Sequence, residues 1–230
     1  IRDSFTSGYV AYPVCGPSRA SFITGRYGQR FGFERNPIYA PQDPAMGLTR
    51  NETTIATALS AVGYRCGVVG KWHLGDQFPL LPQDRGIEQV LAHGVGGVGQ
   101  TPDFWGNDYF DDVYVHNGKE RQFKGYCADV FFNEAKRFIR ESVQKKKPFL
   151  CYLATNTPHG PFWPKEEDRK KISEVLAQSK FDHLDNNLKK RLALYLGMIR
   201  NIDWNMGKLM KFLEDENLAE DTILIFKTDN

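Results

Sequence analysis

Three short apolar runs, separated by segments with helical spacing, constrain the fold of this chain more than any other feature. They cover residues 64–70, 148–155 and 222–226. Runs of this length, rich in Val, Ile, Leu and Phe, are typical of buried strands. Because strands that alternate with helices usually pair in parallel, the pattern predicts an α/β fold with a largely parallel central sheet.

Polar side chains follow each of these runs. Lys71 and His73 come after the first, His159 after the second, and Asp229 and Asn230 after the third. Since ligands of open α/β sheets bind at the carboxyl ends of the strands, we expect these side chains to share one pocket. Taken alone, His73 is more typical of a surface or core histidine, and His159 fits a Pro-rich turn as well as a site.

A second group of reactive residues lies near the amino terminus, in residues 14–26. Pro17 suits the first turn of a helix and Gly25 the position after its end, so Cys15 is placed just ahead of a short helix. The unpaired N–H groups there favour an anion, and Arg19 faces the same space. A lone cysteine and arginine are more often structural. A thiolate phosphatase loop does not fit, because its cysteine and arginine are spaced more widely than the three intervening residues here.

The amino-terminal run resembles the signature of the type I sulfatases, which belong to the alkaline-phosphatase-like superfamily. Later segments resemble the other motifs of that family in the same order. The resemblance implies an alkaline-phosphatase-like fold with helices on both faces of the sheet. The matching positions are Cys15, Pro17, Ser18, Arg19, Thr24, Gly25 and Arg26, then Lys71-Trp72-His73-Leu74-Gly75, His159-Gly160-Pro161 and Asp229-Asn230.

The resemblance implies a modified nucleophile. In this family the signature cysteine, here Cys15, is oxidised by a formylglycine-generating enzyme to an aldehyde, whose hydrated form attacks the sulfur of a sulfate ester. His73 would hold and deprotonate the hydrated aldehyde, and Arg19 would stabilise it. Lys71 and His159 would contact the sulfate and help to protonate the departing alcohol. The implied substrates are carbohydrate or aryl sulfates.

The resemblance also implies a divalent cation. Asp229 and Asn230 offer the oxygen ligands that suit Ca²⁺ or Mg²⁺ better than zinc, and residue 15, as formylglycine, would complete the set from this chain. Family members carry an acidic pair on a strand upstream of the signature and a lysine downstream of Asp-Asn, and the printed sequence contains neither position. We therefore interpret the sequence as a fragment of a longer polypeptide, and we expect it to bind calcium weakly.

Two other functions stay open. Phosphonate monoester and phosphodiester hydrolases of the same superfamily share the Cys-x-Pro-Ser-Arg signature. A non-catalytic relative could keep the pocket and bind sulfated glycans without modification of Cys15.

Composition excludes some partners. With 230 residues and 41% hydrophobic content, the chain suits a single domain over residues 1–230. Its net charge of +2 gives no sign of the excess of basic residues that is typical of nucleic-acid-binding proteins. No apolar run reaches the length of about 18 residues that predicts a membrane span. The family resemblance implies a secreted, periplasmic or lysosomal protein.

Two local patterns complete the predictions. Residues 93–118 contain a literal G-x-G-x-x-G, but no helical pattern follows it, so we interpret them as a long aromatic loop rather than a dinucleotide site. Apolar residues between 188 and 213 recur at helical spacing and predict one apolar helix face against the sheet. They are Leu188, Leu192, Tyr195, Ile199, Ile202, Met206, Leu209 and Leu213.

Overall fold

The computed structural model describes residues 3–38, 40, 43, 45–98 and 108–230. Within these residues the strands form a five-stranded sheet in the order β4-β3-β2-β1-β5. Strand β1 pairs in parallel with both β2 and β5, so the centre of the sheet is parallel as predicted. The strands are β1 (Arg65–Lys71), β2 (Gln89–His93), β3 (Val113–His116), β4 (Lys119–Gln122) and β5 (Phe149–Ala154).

Strands β3 and β4 form an antiparallel hairpin at one edge of the sheet. The interpretation of residues 93–118 as one long loop was therefore wrong for its last part. The turn between the strands is Asn117-Gly118, with φ angles of 50° and 78°. Asn-Gly is the preferred pair for a two-residue hairpin turn, because both positions require positive φ. Residues 99–107 of the predicted loop lie outside the described residues.

Helices cover both faces of the sheet, as the resemblance implied. On one face, α1 (Cys15–Thr24) and α2 (Ile55–Ala61) pack against Val68 of β1. On the other, α3 (Cys127–Gln144) and α5 (Asn186–Asp215) pack with Val69. Neighbouring strand residues point to opposite faces, so these two valines anchor two separate cores. Helix α4 (Glu166–Leu176) packs on α5. Among the described helices, none combines the length and apolar character that crossing a membrane requires.

Helix α5 confirms the predicted helix but only part of its predicted face. Leu209 and Leu213 are buried beside β5, whereas Leu188, Tyr195 and Ile199 are each more than a third exposed. The helix has 30 residues and is about 45 Å long, while a strand of six residues spans about 20 Å. Only part of α5 can therefore lie over the sheet.

The predicted strand at residues 222–226 was wrong. This segment forms no strand pairing with any described residue, and Ile223, Ile225 and Phe226 are 89%, 72% and 69% exposed. Strand β5 is the edge of the described sheet, and residues 222–226 do not pair with it. A strand needs a hydrogen-bonding neighbour, and apolar composition alone does not supply one. The residues that follow still reach the first turn of α1, where Asp229 contacts Arg19.

Candidate active site

Cys15 is the first residue of α1, where the prediction had placed it just ahead of the helix. Val14 is extended and precedes the helix, and Gly25 ends it in the left-handed conformation at φ 67°. The Gly16 amide donates a 2.7 Å hydrogen bond to Asn36 Oδ1, which fixes the helix start. The half-buried Cys15 thiol therefore lies at the positive end of a helix dipole, which favours its anion.

The Cys15 sulfur meets the three predicted residues from the ends of β1 and β5. Hydrogen bonds from His159 and His73 lower the pKa of Cys15 to about 5, with Lys71 adding to the effect and burial opposing it. The same contact with Cys15 raises the pKa of His159. Opposite shifts in two partners describe a thiolate–imidazolium pair. The predicted convergence of Cys15, Lys71, His73 and His159 is thus present in the structure.

The path of the chain at the end of β1 places Lys71 and His73. Gly70 has a φ of 101°, and a Cβ there would overlap the carbonyl oxygen of Ala154 on β5. Only glycine allows the two strands to approach so closely. His73 itself lies in the left-handed region at φ 58°, which is rare for a residue with a side chain. Both Lys71 and His73 are buried, at 2% and 5% exposure.

His159 is held in the turn after β5. Its amide donates to the Asn156 carbonyl at 3.0 Å, and its Nδ1 lies 2.8 Å from the Gly160 carbonyl oxygen. A carbonyl can only accept, so Nδ1 carries a proton and Nε2 is the atom left to meet the Cys15 sulfur. The ring is therefore fixed in one tautomer when neutral.

Arg19 connects α1 to the end of the described chain. Its guanidinium contacts Asp229 Oδ2 through Nε and Nη2, both at 3.2 Å, and donates through Nη1 to the Lys71 carbonyl at 2.8 Å. Nη1 also lies 3.2 Å from the Tyr152 hydroxyl. Arg19 is 4% exposed, so these contacts satisfy a buried cation. Burial and the charge of Arg19 lower the pKa of Lys71, and Cys15 and Asp229 oppose that shift.

Asp229 and Asn230 reach the site, but only part of each is free for a metal. Asp229 Oδ2 is taken by Arg19, and its main-chain oxygen accepts from Ser18 Oγ. The Asn230 amide nitrogen donates to the Pro13 carbonyl at 3.1 Å, which leaves its Oδ1 available. No group of three histidine, cysteine or acidic side chains in the described chain is arranged to hold a metal. Calcium prefers six to eight oxygen ligands, so these residues fit only part of its shell.

Sequence reasoning missed three residues around this pocket. His93 ends β2 and is the register partner of Lys71 on β1. Burial lowers the pKa of its imidazole to about 3, so the ring is neutral. Asn156 and Tyr109 contact the His159 turn. The rule that polar residues follow strands could have found His93 and Asn156, whereas the sequence pattern marks Tyr109 only as part of the aromatic loop over residues 93–118.

The sulfatase family profile matches residues 4–230. The chain belongs to the sulfatase family. The uncharacterised sulfatase YdeN of Escherichia coli is 26% identical over 98% of this chain and 40% of its own length. The N-acetylgalactosamine-6-sulfatase of Rattus norvegicus is 28% identical over 98% of this chain and 42% of its own length. The chain thus spans less than half the length of these relatives.

Two solved structures share the fold of this chain. Ps i-CgsB, solved in complex with k-i-k-neocarrahexaose, is 30% identical, with a TM-score of 0.75 over 91% of this chain and 46% of that one. The phosphonate monoester hydrolase of Agrobacterium radiobacter is 16% identical with a TM-score of 0.57, covering 93% of this chain and 52% of its own. The second likeness shows only that the fold is shared.

Proposed function

We propose that the full-length protein is a sulfuric ester hydrolase that uses formylglycine made from Cys15. The observation that carries this proposal is the meeting of the Cys15 side chain with Lys71, His73 and His159 at one end of the sheet. Each of these residues lies in a segment that resembles a motif of the family to which the chain belongs. Arg19 contacts both the Lys71 carbonyl and Asp229, so it links the cluster to Asp229.

The cluster suits a tetrahedral oxyanion. The Lys71 ammonium, a protonated His159 and the first N–H groups of α1 supply positive charge and donors around the residue 15 side chain. Such preorganised donors stabilise charge that develops on sulfate oxygens in the transition state. Because Lys71 and His73 are almost fully buried, water screens these interactions weakly.

The two histidines have separate tasks in this proposal. The hydrated aldehyde at residue 15 would supply one hydroxyl for attack on sulfur and a second whose deprotonation expels sulfate. His73 holds that side chain and accepts its proton. His159 carries a proton near neutral pH, as an imidazole with an ordinary pKa of about 6.5 can, and with Lys71 it donates to the departing alcohol oxygen.

A hard divalent cation, calcium or magnesium, fits the free oxygens of Asp229 and Asn230 beside residue 15. Ligands from outside the printed chain would complete its shell, and the cation would polarise the residue 15 side chain. Maturation would need a formylglycine-generating enzyme. We place the full-length protein in a secreted, periplasmic or lysosomal compartment, by analogy with its family.

The substrates we propose are sulfate esters of carbohydrates. Among relatives, one is named N-acetylgalactosamine-6-sulfatase, and the Ps i-CgsB structure holds a neocarrahexaose. Another relative, from Klebsiella aerogenes, is named arylsulfatase, with 25% identity over 97% of this chain and 58% of its own length. Aryl sulfates are therefore suitable test substrates.

Hydrolysis of 4-nitrophenyl sulfate by the full-length protein from its native host tests the proposal, with 4-nitrophenyl phenylphosphonate compared under the same conditions. We expect faster turnover of the sulfate. Faster turnover of the phosphonate would instead assign the protein to the phosphonate hydrolases. Peptide mass analysis of residue 15 is the second arm, because an unmodified thiol with retained binding of sulfated glycans would favour a binding protein.

A further inference from the structure

The structure assigns to Tyr109 and Asn156 the role of positioning residues that hold His159 against the residue 15 side chain. This inference rests on the proposed function, since it concerns the proton donor of that reaction. Tyr109 and Asn156 are buried, at 0% and 3% exposure. Neither belongs to the motifs that identified the family.

The contacts form one chain of hydrogen bonds that ends on the His159 turn. Asn156 Oδ1 accepts from the Val98 amide at 3.1 Å, and its Nδ2 donates to the Tyr109 hydroxyl at 2.8 Å. The Tyr109 hydroxyl then donates to the His159 carbonyl at 2.6 Å. The His159 backbone amide donates to the Asn156 backbone carbonyl at 3.0 Å. Both backbone groups of His159 are therefore tied to these two residues.

Chemistry fixes the direction of every bond in this chain. A backbone amide can only donate, so the Asn156 atom facing Val98 must be oxygen. The other amide atom is then nitrogen, and it donates to the Tyr109 oxygen. The single hydroxyl proton of Tyr109 remains for His159, whose carbonyl can only accept. No alternative arrangement of protons satisfies all three contacts, so the turn has one defined hydrogen-bonded state.

These hydrogen bonds from Tyr109 and Asn156 form a brace for the His159 turn. The brace matters for catalysis because His159 must act over a short distance. Its Nδ1 proton is directed at the Gly160 carbonyl, which leaves Nε2 as the atom that faces residue 15. A proton donor must lie within about 2.6–3.2 Å of the oxygen it protonates. A misplacement of about 1 Å can cost on the order of a hundredfold in rate. A turn freed at its carbonyl would allow such a shift.

Tyr109→Phe removes only the hydroxyl, and Tyr126→Phe is its matched control. Tyr126 is also buried, its ring stacks on Tyr109 with centroids 6.2 Å apart, and its hydroxyl has no hydrogen-bond partner in the described chain. Asn156→Asp is the second variant. Its carboxylate can still accept from Val98, but it cannot donate to Tyr109 and it competes for the tyrosine proton.

The test uses the full-length enzyme with phenyl sulfate and 4-nitrophenyl sulfate. Phenolate is a poor leaving group that needs a proton, whereas nitrophenolate leaves with little help. We expect Tyr109→Phe and Asn156→Asp to lower kcat/KM for phenyl sulfate by about tenfold to a hundredfold, with less than about a threefold loss for 4-nitrophenyl sulfate. Tyr126→Phe should change neither value by more than about threefold.

Equal losses on both esters would overturn the inference, because a merely structural role lowers the fraction of active enzyme for every substrate. Unchanged rates in both variants would also overturn it. If the unsubstituted enzyme cleaves neither these two esters nor carbohydrate sulfates, the proposed function fails, and crystal structures of the variants then test the brace alone. A His159 ring displaced in Tyr109→Phe but not in Tyr126→Phe supports the brace, and an undisplaced ring in both refutes it.

Discussion

The thiol of unmodified Cys15 should react with disulfides at a rate that barely changes with pH. The cause is its contact with His159 and His73, which lowers its pKa to about 5 from the usual 9.0. At pH 6 about nine tenths of this thiol is ionised, whereas a thiol of pKa 9 is ionised to about one part in a thousand. Between pH 6 and 8 the ionised fraction of Cys15 therefore hardly grows.

The magnitude of the rate difference depends on a second effect. A thiolate of low pKa is a weaker nucleophile, with a Brønsted slope of about 0.4–0.5 for disulfide exchange. Four pKa units then cost about 40-fold to 100-fold in intrinsic reactivity, against a gain of about a thousandfold in ionisation at pH 6. Cys15 should thus react about tenfold to 25-fold faster than an ordinary thiol at pH 6. The advantage should reverse by pH 9.

Exchange with a small aromatic disulfide, followed by peptide mass analysis, measures each cysteine in the folded chain. Burial raises the pKa of Cys66, Cys127 and Cys151, so these thiols should stay protected and serve as internal references. His159→Ala should restore a steep pH dependence, while alanine at the exposed His183 should not. A Cys15 rate that rises about tenfold per pH unit between pH 6 and 8 would refute the thiolate cluster.

Three further outcomes are expected. Arg19→Met should lower the free energy of unfolding in urea by about 1–3 kcal/mol, because it leaves the half-buried Asp229 carboxylate and the Lys71 carbonyl without their hydrogen-bond donor. Arg169→Met at an exposed ion pair should change the free energy of unfolding little, and similar losses in both variants would contradict the contacts of Arg19. Gly70→Ala should lower the midpoint of thermal unfolding more than Gly118→Ala. Both glycines have positive φ, but only Gly70 lies against the Ala154 carbonyl. An equal shift of the midpoint would disprove the overlap between a Cβ at residue 70 and that carbonyl. The printed chain should bind calcium weakly in calorimetry, and tight binding would show that its own oxygens suffice.

The sequence predicted the parallel centre of the sheet and the chemical cluster, because both depend on local patterns. Strands β1 and β5 end within one residue of the predicted runs, and α1, which begins at Cys15, ends just before Gly25. Those residues meet because parallel strands bring their carboxyl ends to one edge.

The failures share a different physical cause. Residues 222–226 have the composition of a strand but do not pair with a described strand edge. The amino-terminal half of α5 has an apolar stripe that includes Tyr195 and Ile199, yet the sheet is too short to cover it. The hairpin at Asn117-Gly118 was overlooked although its turn signal was present. Pairing and burial depend on neighbours distant in sequence, which local patterns do not reveal.

The central claim is that the side chain at residue 15, once modified, performs the reaction at the ends of these strands. Release of sulfate from 4-nitrophenyl sulfate by the full-length protein from its native host tests this claim most directly, with Cys15→Ala compared with Cys66→Ala. We expect the Cys66 variant, which changes a thiol buried in the core, to keep its activity. The Cys15 variant should release no sulfate above background, and sulfate release at the unsubstituted rate by that variant would contradict the account.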